Sequence, residues 1–177
     1  MNKILSPAIA LLLAASAALQ PANAEHLVIM HTNDTHSHID TEESGEGGIL
    51  RRKAAIDSIR LAEKNSLLID AGDFVQGSLY FYLYGGKVEQ QLMNELGYDM
   101  RILGNHEFDI TANSIAHVLS NSKAELLATN YNLSHSALDG MFKPATIKEF
   151  DGKRIGFFAI NLDPEGMIAP GKAEGVK

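Results

Sequence analysis

Met100-Arg101-Ile102-Leu103-Gly104-Asn105-His106-Glu107-Phe108-Asp109 decides the fold. A short strand, Met100 to Leu103, runs straight into a tight turn carrying an amide, an imidazole and carboxylates. Two upstream segments repeat the arrangement. The apolar run His26 to His31 ends at Asn33-Asp34-Thr35-His36, and Leu67-Leu68-Ile69 ends at Asp70-Ala71-Gly72-Asp73. Helical patterns separate the strands. Ile49, Ile56 and Ile59 recur among Arg51, Arg52, Lys53 and Arg60, and Val88, Leu92 and Leu96 lie four apart before the stop at Gly97. Ile115, Val118 and Leu119 mark a third helix and Leu126-Leu127-Ala128 a fourth strand. Phe142 to Phe150 and Arg154 to Ile160 read as a strand pair turning at Asp151-Gly152. Alternating strands and helices give an α/β layer fold. The polar segments fall at the C-terminal ends of successive strands, where open α/β sheets gather their sites.

The residue types suit paired metal ions. Asp34 and His36 are two apart, so an extended strand end turns both to one side, where they can grip one ion. The bland alternative is a polar turn with an exposed histidine. Asp73 has two oxygens and can bridge ions roughly 3.5–4 Å apart; Asp70 reads instead as a cap or loop hydrogen bond. Asn105 offers a neutral carbonyl oxygen, which leaves the ions electrophilic. His106 fits a role apart from the ligands, donating to a phosphoryl oxygen or protonating a leaving alkoxide. Asp109, three residues on, can accept from its other ring nitrogen, fixing the tautomer and raising the imidazole pKa. Glu107 and Phe108 read as structural, one bonding the turn and one packing beneath it.

His31-Thr32-Asn33-Asp34-Thr35-His36-Ser37-His38, Gly72-Asp73-Phe74-Val75-Gln76-Gly77-Ser78 and Gly104-Asn105-His106-Glu107-Phe108-Asp109 together resemble the 5′-nucleotidase branch of the calcineurin-like metallophosphoesterases. Met93 to Asp99 and Leu127 to Asn130 fit the helix before, and the strand after, the third motif. The resemblance implies an αββα-sandwich metallophosphoesterase fold and two divalent metal ions (Zn, Mn, Mg or Fe). It implies Asp34, His36, bridging Asp73 and Asn105 as metal ligands, with His106 as the catalytic histidine oriented by Asp109. It further implies release of phosphate from nucleotides, a metal-activated water attacking phosphorus in line. The same motifs fit a related phosphodiesterase, a UDP-sugar hydrolase or a sulfur-ester hydrolase.

The family's later histidine motifs are not matched. Only His117 and His135 follow His106, one on a helix and one in a Ser/Asn-rich loop, and neither is carried over. The chain therefore reads as a truncated fold, residues 25–177 being an N-terminal portion of the domain. A missing C-terminal segment or a partner chain would supply further histidines, and a non-catalytic fragment with an incomplete metal site is the rival from another class. Ile110-Thr111 also stands where the family usually has a small residue.

Residues 1–24 read as a signal peptide: Lys3, an apolar stretch from Ala8 to Leu19, and Ala22-Asn23-Ala24 as the cleavage pattern. Export to a periplasmic or extracellular location follows, with no stable membrane anchor. The chain contains no cysteine, which excludes disulfides and thiolate zinc sites. A formal charge of −7 disfavours nucleic-acid polymers as partners, so a nucleotide or other phosphoester substrate would meet its positive charge in bound ions. Leu79-Tyr80-Phe81-Tyr82-Leu83-Tyr84 is the only aromatic cluster. It reads as helix and loop packing, with a nucleobase platform as the functional alternative.

Overall fold

A computed structural model describes residues 26–177. The signal-peptide stretch 1–24 lies outside the described residues. Four strands, β1 (Val28–Thr32), β2 (Ser66–Asp70), β3 (Met100–Arg101) and β4 (Glu125–Leu126), form a parallel sheet in the order β1-β2-β3-β4. Thr32 pairs with Asp70, Asp70 with Arg101, and Arg101 with Leu126. The strands thus end on one level, and the loops after β1, β2 and β3 leave the sheet side by side.

Side-chain alternation gives the sheet two faces. Leu68 and Leu126 point to a core shared with α1 (Ile49–Ala62), α3 (Lys87–Leu96) and α4 (Ala112–Leu119). Leu67, Met100 and Leu127 point the other way, against Phe150 and Phe157. Those phenylalanines belong to the antiparallel hairpin β5 (Ala145–Phe150) and β6 (Lys153–Phe158). Asp151 and Gly152 turn it with φ of 49° and 78°, as a tight two-residue hairpin requires. The α/β class is as expected from the sequence. Among the described residues no helix is long and apolar enough to cross a membrane.

Local chemistry sets the element ends. Gly97 closes α3 in the left-handed conformation, φ 74°. Thr111 caps α4, its hydroxyl accepting from the Ser114 N–H at 3.2 Å, so the exchange at this position builds a helix start. The aromatic cluster forms a short helix, α2 (Leu79–Tyr84), which buries only Phe81 and leaves Leu79, Tyr82, Leu83 and Tyr84 exposed.

Three details differ from the sequence expectation. The β3 ladder stops at Arg101 rather than Leu103, because the chain there turns toward the site. The β4 ladder covers Glu125–Leu126, with Leu127 in a single parallel bridge to Lys143. On α3 the buried face is Glu89, Gln90, Met93 and Leu96, not the Val88-Leu92-Leu96 stripe. The helix is rotated because its inner side supplies polar partners to the sheet and to the first loop.

Glu125 carries a pH prediction. Burial raises its pKa, but Lys143 Nζ at 2.5 Å and Lys148 Nζ at 2.7 Å outweigh that and bring it from 4.5 down to about 2. A folded-state value below the unfolded one stabilises the fold above pH 4.5, and that contribution fades as pH falls toward 2. Lys143 and Lys148 are 64% and 34% exposed, so solvent screening holds the contribution to about 1 kcal/mol. Glu125→Gln should therefore flatten the acid limb of stability between roughly pH 5 and 2. Urea melts across that range check this, and an acid limb as steep as the wild type's would contradict it.

Candidate metal centre

The first loop folds back along the second. Asp34, His36 and Ser37 donate their N–H groups to the carbonyls of Gly72, Asp73 and Phe74, at 3.0, 3.0 and 3.1 Å. The pairing requires unusual backbone. Asp34, His36, Ser37, Asp73 and Gln76 all have positive φ, between 42° and 98°. Non-glycine residues in the left-handed region cost about 1–2 kcal/mol each, so the surrounding contacts must hold them there.

The second and third loops are joined by a buried carboxylate. Glu107 has 0% exposure and lies in a single 3₁₀ turn, His106–Phe108. Its Oε2 accepts from the Asp73 N–H at 3.0 Å and the Gly104 N–H at 2.5 Å, and its Oε1 from the Phe74 N–H at 2.9 Å. Burial pushes its pKa up to about 7, against those backbone donors. The loops approach so closely that glycine is required at both crossing points. A Cβ on Gly72 would stand 2.5 Å from the Gly104 nitrogen, and one on Gly104 would fall inside the Asp73 carboxylate.

This framework brings His36, Asp73 and His106 together, with one donor atom of each within 4.8 Å of the others. His36 Nδ1 lies 3.0 Å from Gln76 Oε1. An amide oxygen can only accept, so Nδ1 carries the proton and Nε2 presents its lone pair. That Nε2 is buried and has no hydrogen-bond partner. Asp34 Oδ1 stands 3.7 Å from it on an exposed side chain. The Asn33 amide, with the nearby His36, holds the Asp34 carboxyl below its ordinary range despite some desolvation. A buried lone pair facing two carboxylates is an environment that suits a divalent cation.

His106 lies edge-on to His36, with ring centroids 4.9 Å apart. Its Nδ1 is 2.8 Å from Asp109 Oδ2, and its backbone N–H donates to Asp73 Oδ1 at 2.8 Å. Burial lowers the imidazole pKa, but Asp109, with the charges of Asp73 and Glu107, more than offsets this and raises it. The sequence expectation set His106 apart from the ligands; the geometry puts its ring in the same cluster as His36 and Asp73. Asn105 opens the turn, its carbonyl accepting from the Phe108 N–H at 3.1 Å. His117 and His135 are exposed.

Below the loops lies a charged layer that the sequence reading did not single out. Arg101 is 1% exposed. Its Nε stands 3.6 Å from Asp70 Oδ2, its Nη1 donates to Gln90 Oε1 at 2.6 Å, and its guanidinium lies 4.1 Å over the Phe74 ring. Asp70, also buried, accepts from Thr32 Oγ1 at 3.0 Å. An arginine in a short strand looks like a solvent-facing residue. Only the cross-strand register, which pairs it with Asp70, could have flagged it.

Comparison with known proteins bears on the fold and the family. The family model for calcineurin-like phosphoesterases matches residues 27–167. The chain is 37% identical to mouse 5′-nucleotidase over 164 residues, covering 82% of this chain and 28% of that protein. The 5′-nucleotidase precursor of Thermus thermophilus superposes with a TM-score of 0.70 at 37% identity, over 76% of this chain and 28% of that one. The NAD nucleotidase of Haemophilus influenzae superposes at 0.76 and 31% identity, over 85% and 29%. The chain thus spans little more than a quarter of the length of each of these relatives.

Proposed function

The chain belongs to the calcineurin-like phosphoesterase family, and on that premise we propose that it is the N-terminal portion of a metal-dependent phosphoric ester hydrolase of the 5′-nucleotidase type. The observation that carries this is the convergence of His36, Asp73 and His106, with the His36 Nε2 lone pair buried and unpartnered. Asp34, His36, Asp73 and Asn105 would hold two divalent ions. Bound there, the ions would supply Lewis acidity to the phosphoryl group and an activated water. Asp109 keeps the proton of His106 on Nδ1. The imidazolium form, which Asp109 favours, would carry a second proton on the opposite nitrogen, and that proton could be donated to a phosphoryl oxygen or passed to the leaving alkoxide. A nucleoside monophosphate is the substrate class favoured by the 5′-nucleotidases among the relatives.

One observation supports a second role for His106. A metal-ligating imidazole also gives its other nitrogen to a carboxylate, as His106 does to Asp109. His106→Ala separates the two. As a catalyst, its loss leaves the ions bound and lowers phosphate release from adenosine 5′-monophosphate about a hundredfold. As a ligand, its loss empties the site. Elemental analysis and a phosphate assay with Mn²⁺ or Zn²⁺ read both. A wild-type chain that takes up no divalent ion and releases no phosphate would support the rival, a non-catalytic portion of the domain. Export rests on residues 1–24; a mature N-terminus at Glu25 is the expected outcome of N-terminal sequencing.

A further inference from the structure

The helix α3 crosses behind the first loop and presents Glu89 to it. Glu89 is 4% exposed, and Ser37, the residue after His36, is equally buried. The Ser37 hydroxyl donates to Glu89 Oε1 at 2.7 Å. The other carboxylate oxygen, Oε2, is buried and has no partner among the described residues. A carboxylate with a single hydrogen bond is a costly thing to bury. A methionine or leucine would serve the adjoining core of Met93 and Phe74 better. What the carboxylate adds is an acceptor directed at the loop.

The loop needs one. Asp34, His36 and Ser37 all sit at positive φ, from 42° to 53°. The N–H groups of His36 and Ser37 tie the backbone to the second loop, but that loop is itself strained at Asp73 and Gln76. The Ser37–Glu89 bond is an anchor to a regular helix. The next residue of α3, Gln90, receives Arg101 Nη1 at 2.6 Å, so the same helical turn holds both the first loop and the third strand. We propose that Glu89 is a positioning residue. Through Ser37 it holds the left-handed turn that aims His36 at the cluster, although it touches neither substrate nor ion. The link to metal binding rests on the reading of the site given above; the link to loop geometry does not.

The test uses the full chain with Ser37→Ala, Glu89→Ala and Glu89→Gln. Amide hydrogen exchange is read at His36 and Ser37 relative to Leu68 in β2, and Mn²⁺ affinity by electron paramagnetic resonance. Ser37→Ala and Glu89→Ala should each speed exchange at the two loop amides without a matching change at Leu68. Each should weaken Mn²⁺ binding about tenfold. The double variant Ser37→Ala/Glu89→Ala should be no worse than either single one, since both cut the same link. Glu89→Gln keeps an acceptor oxygen for the hydroxyl and should recover most of the protection and affinity. Should Glu89→Ala fail to fold, Ser37→Ala removes the bond from its other end. Unchanged loop exchange in Ser37→Ala, or Glu89→Gln as damaging as Glu89→Ala, overturns the proposal. Faster loop exchange in a chain that takes up no Mn²⁺ upholds the positioning role and removes the metal reading instead.

Discussion

Arg101→Ala should destabilise the fold by roughly 3–5 kcal/mol. The side chain is 1% exposed and serves three partners: Asp70, Gln90 and the Phe74 ring. Truncation strips the Arg101 cation from Asp70, which has 0% exposure. Burial already raises the Asp70 pKa, and Arg101 is the main opposing influence. The uncompensated carboxyl, together with the cavity beneath Phe74, accounts for the loss. A lone surface arginine would cost well under 1 kcal/mol, so the magnitude alone distinguishes the two situations. Replacing the pair with apolar residues, as in Asp70→Leu/Arg101→Met, should be far milder than Arg101→Ala, because no charge is stranded. Urea melts of the three chains measure this. Equal losses in the single and double variants would mean that packing, not the ion pair, sets the cost.

The sequence made the outer surface of the site readable and its support unreadable. Asp34, Asp73 and Asn105-His106 stand out because each follows an apolar run, and a polar residue ending a buried strand has few structural uses. The Asp109 contact with His106 was legible from spacing alone, since three residues in a tight turn bring the groups together. Arg101, Gln90 and Glu89 were hidden for one physical reason. Each is buried against a partner 11 to 52 residues away, and no local pattern encodes such a partner. The same blindness misplaced the face of α3. Hydrophobic spacing selected Val88 and Leu92, whereas the helix turns two polar side chains inward because loop and sheet offer them a donor each. The short ladders of β3 and β4 have a related cause: the Ile102 and Leu127 N–H groups still donate to Asp70 and Arg101 of the neighbouring strands, but past them the Gly104 N–H turns to Glu107 and the Ala128 N–H to Lys143. Glu107 was readable as a residue bonding the turn, though not as one that spans two loops.

That span makes Glu107→Ala the variant with the widest consequences for the site. Three backbone N–H groups, of Asp73, Phe74 and Gly104, donate to the one carboxylate. Removing it orphans all three in a region without solvent, at about 1–3 kcal/mol each. An opposing gain exists. Burial holds the carboxyl at about 7 rather than 4.5, so keeping it charged costs about 3 kcal/mol at neutral pH and above. The donors win on these magnitudes, and a net loss of roughly 3–5 kcal/mol is expected. Glu107→Gln should fall between, because its amide oxygen can serve only part of the donor set and its NH₂ must face another N–H. Leu103 and Gly104 would move with the freed turn, and Gly104 has no room to move toward Asp73 without striking its carboxylate. Divalent-ion uptake should therefore drop in Glu107→Gln, even at temperatures where the chain remains folded by circular dichroism. An alanine variant as stable as the wild type would mean that the three donors find other acceptors, and that the second and third loops are held together by something other than Glu107.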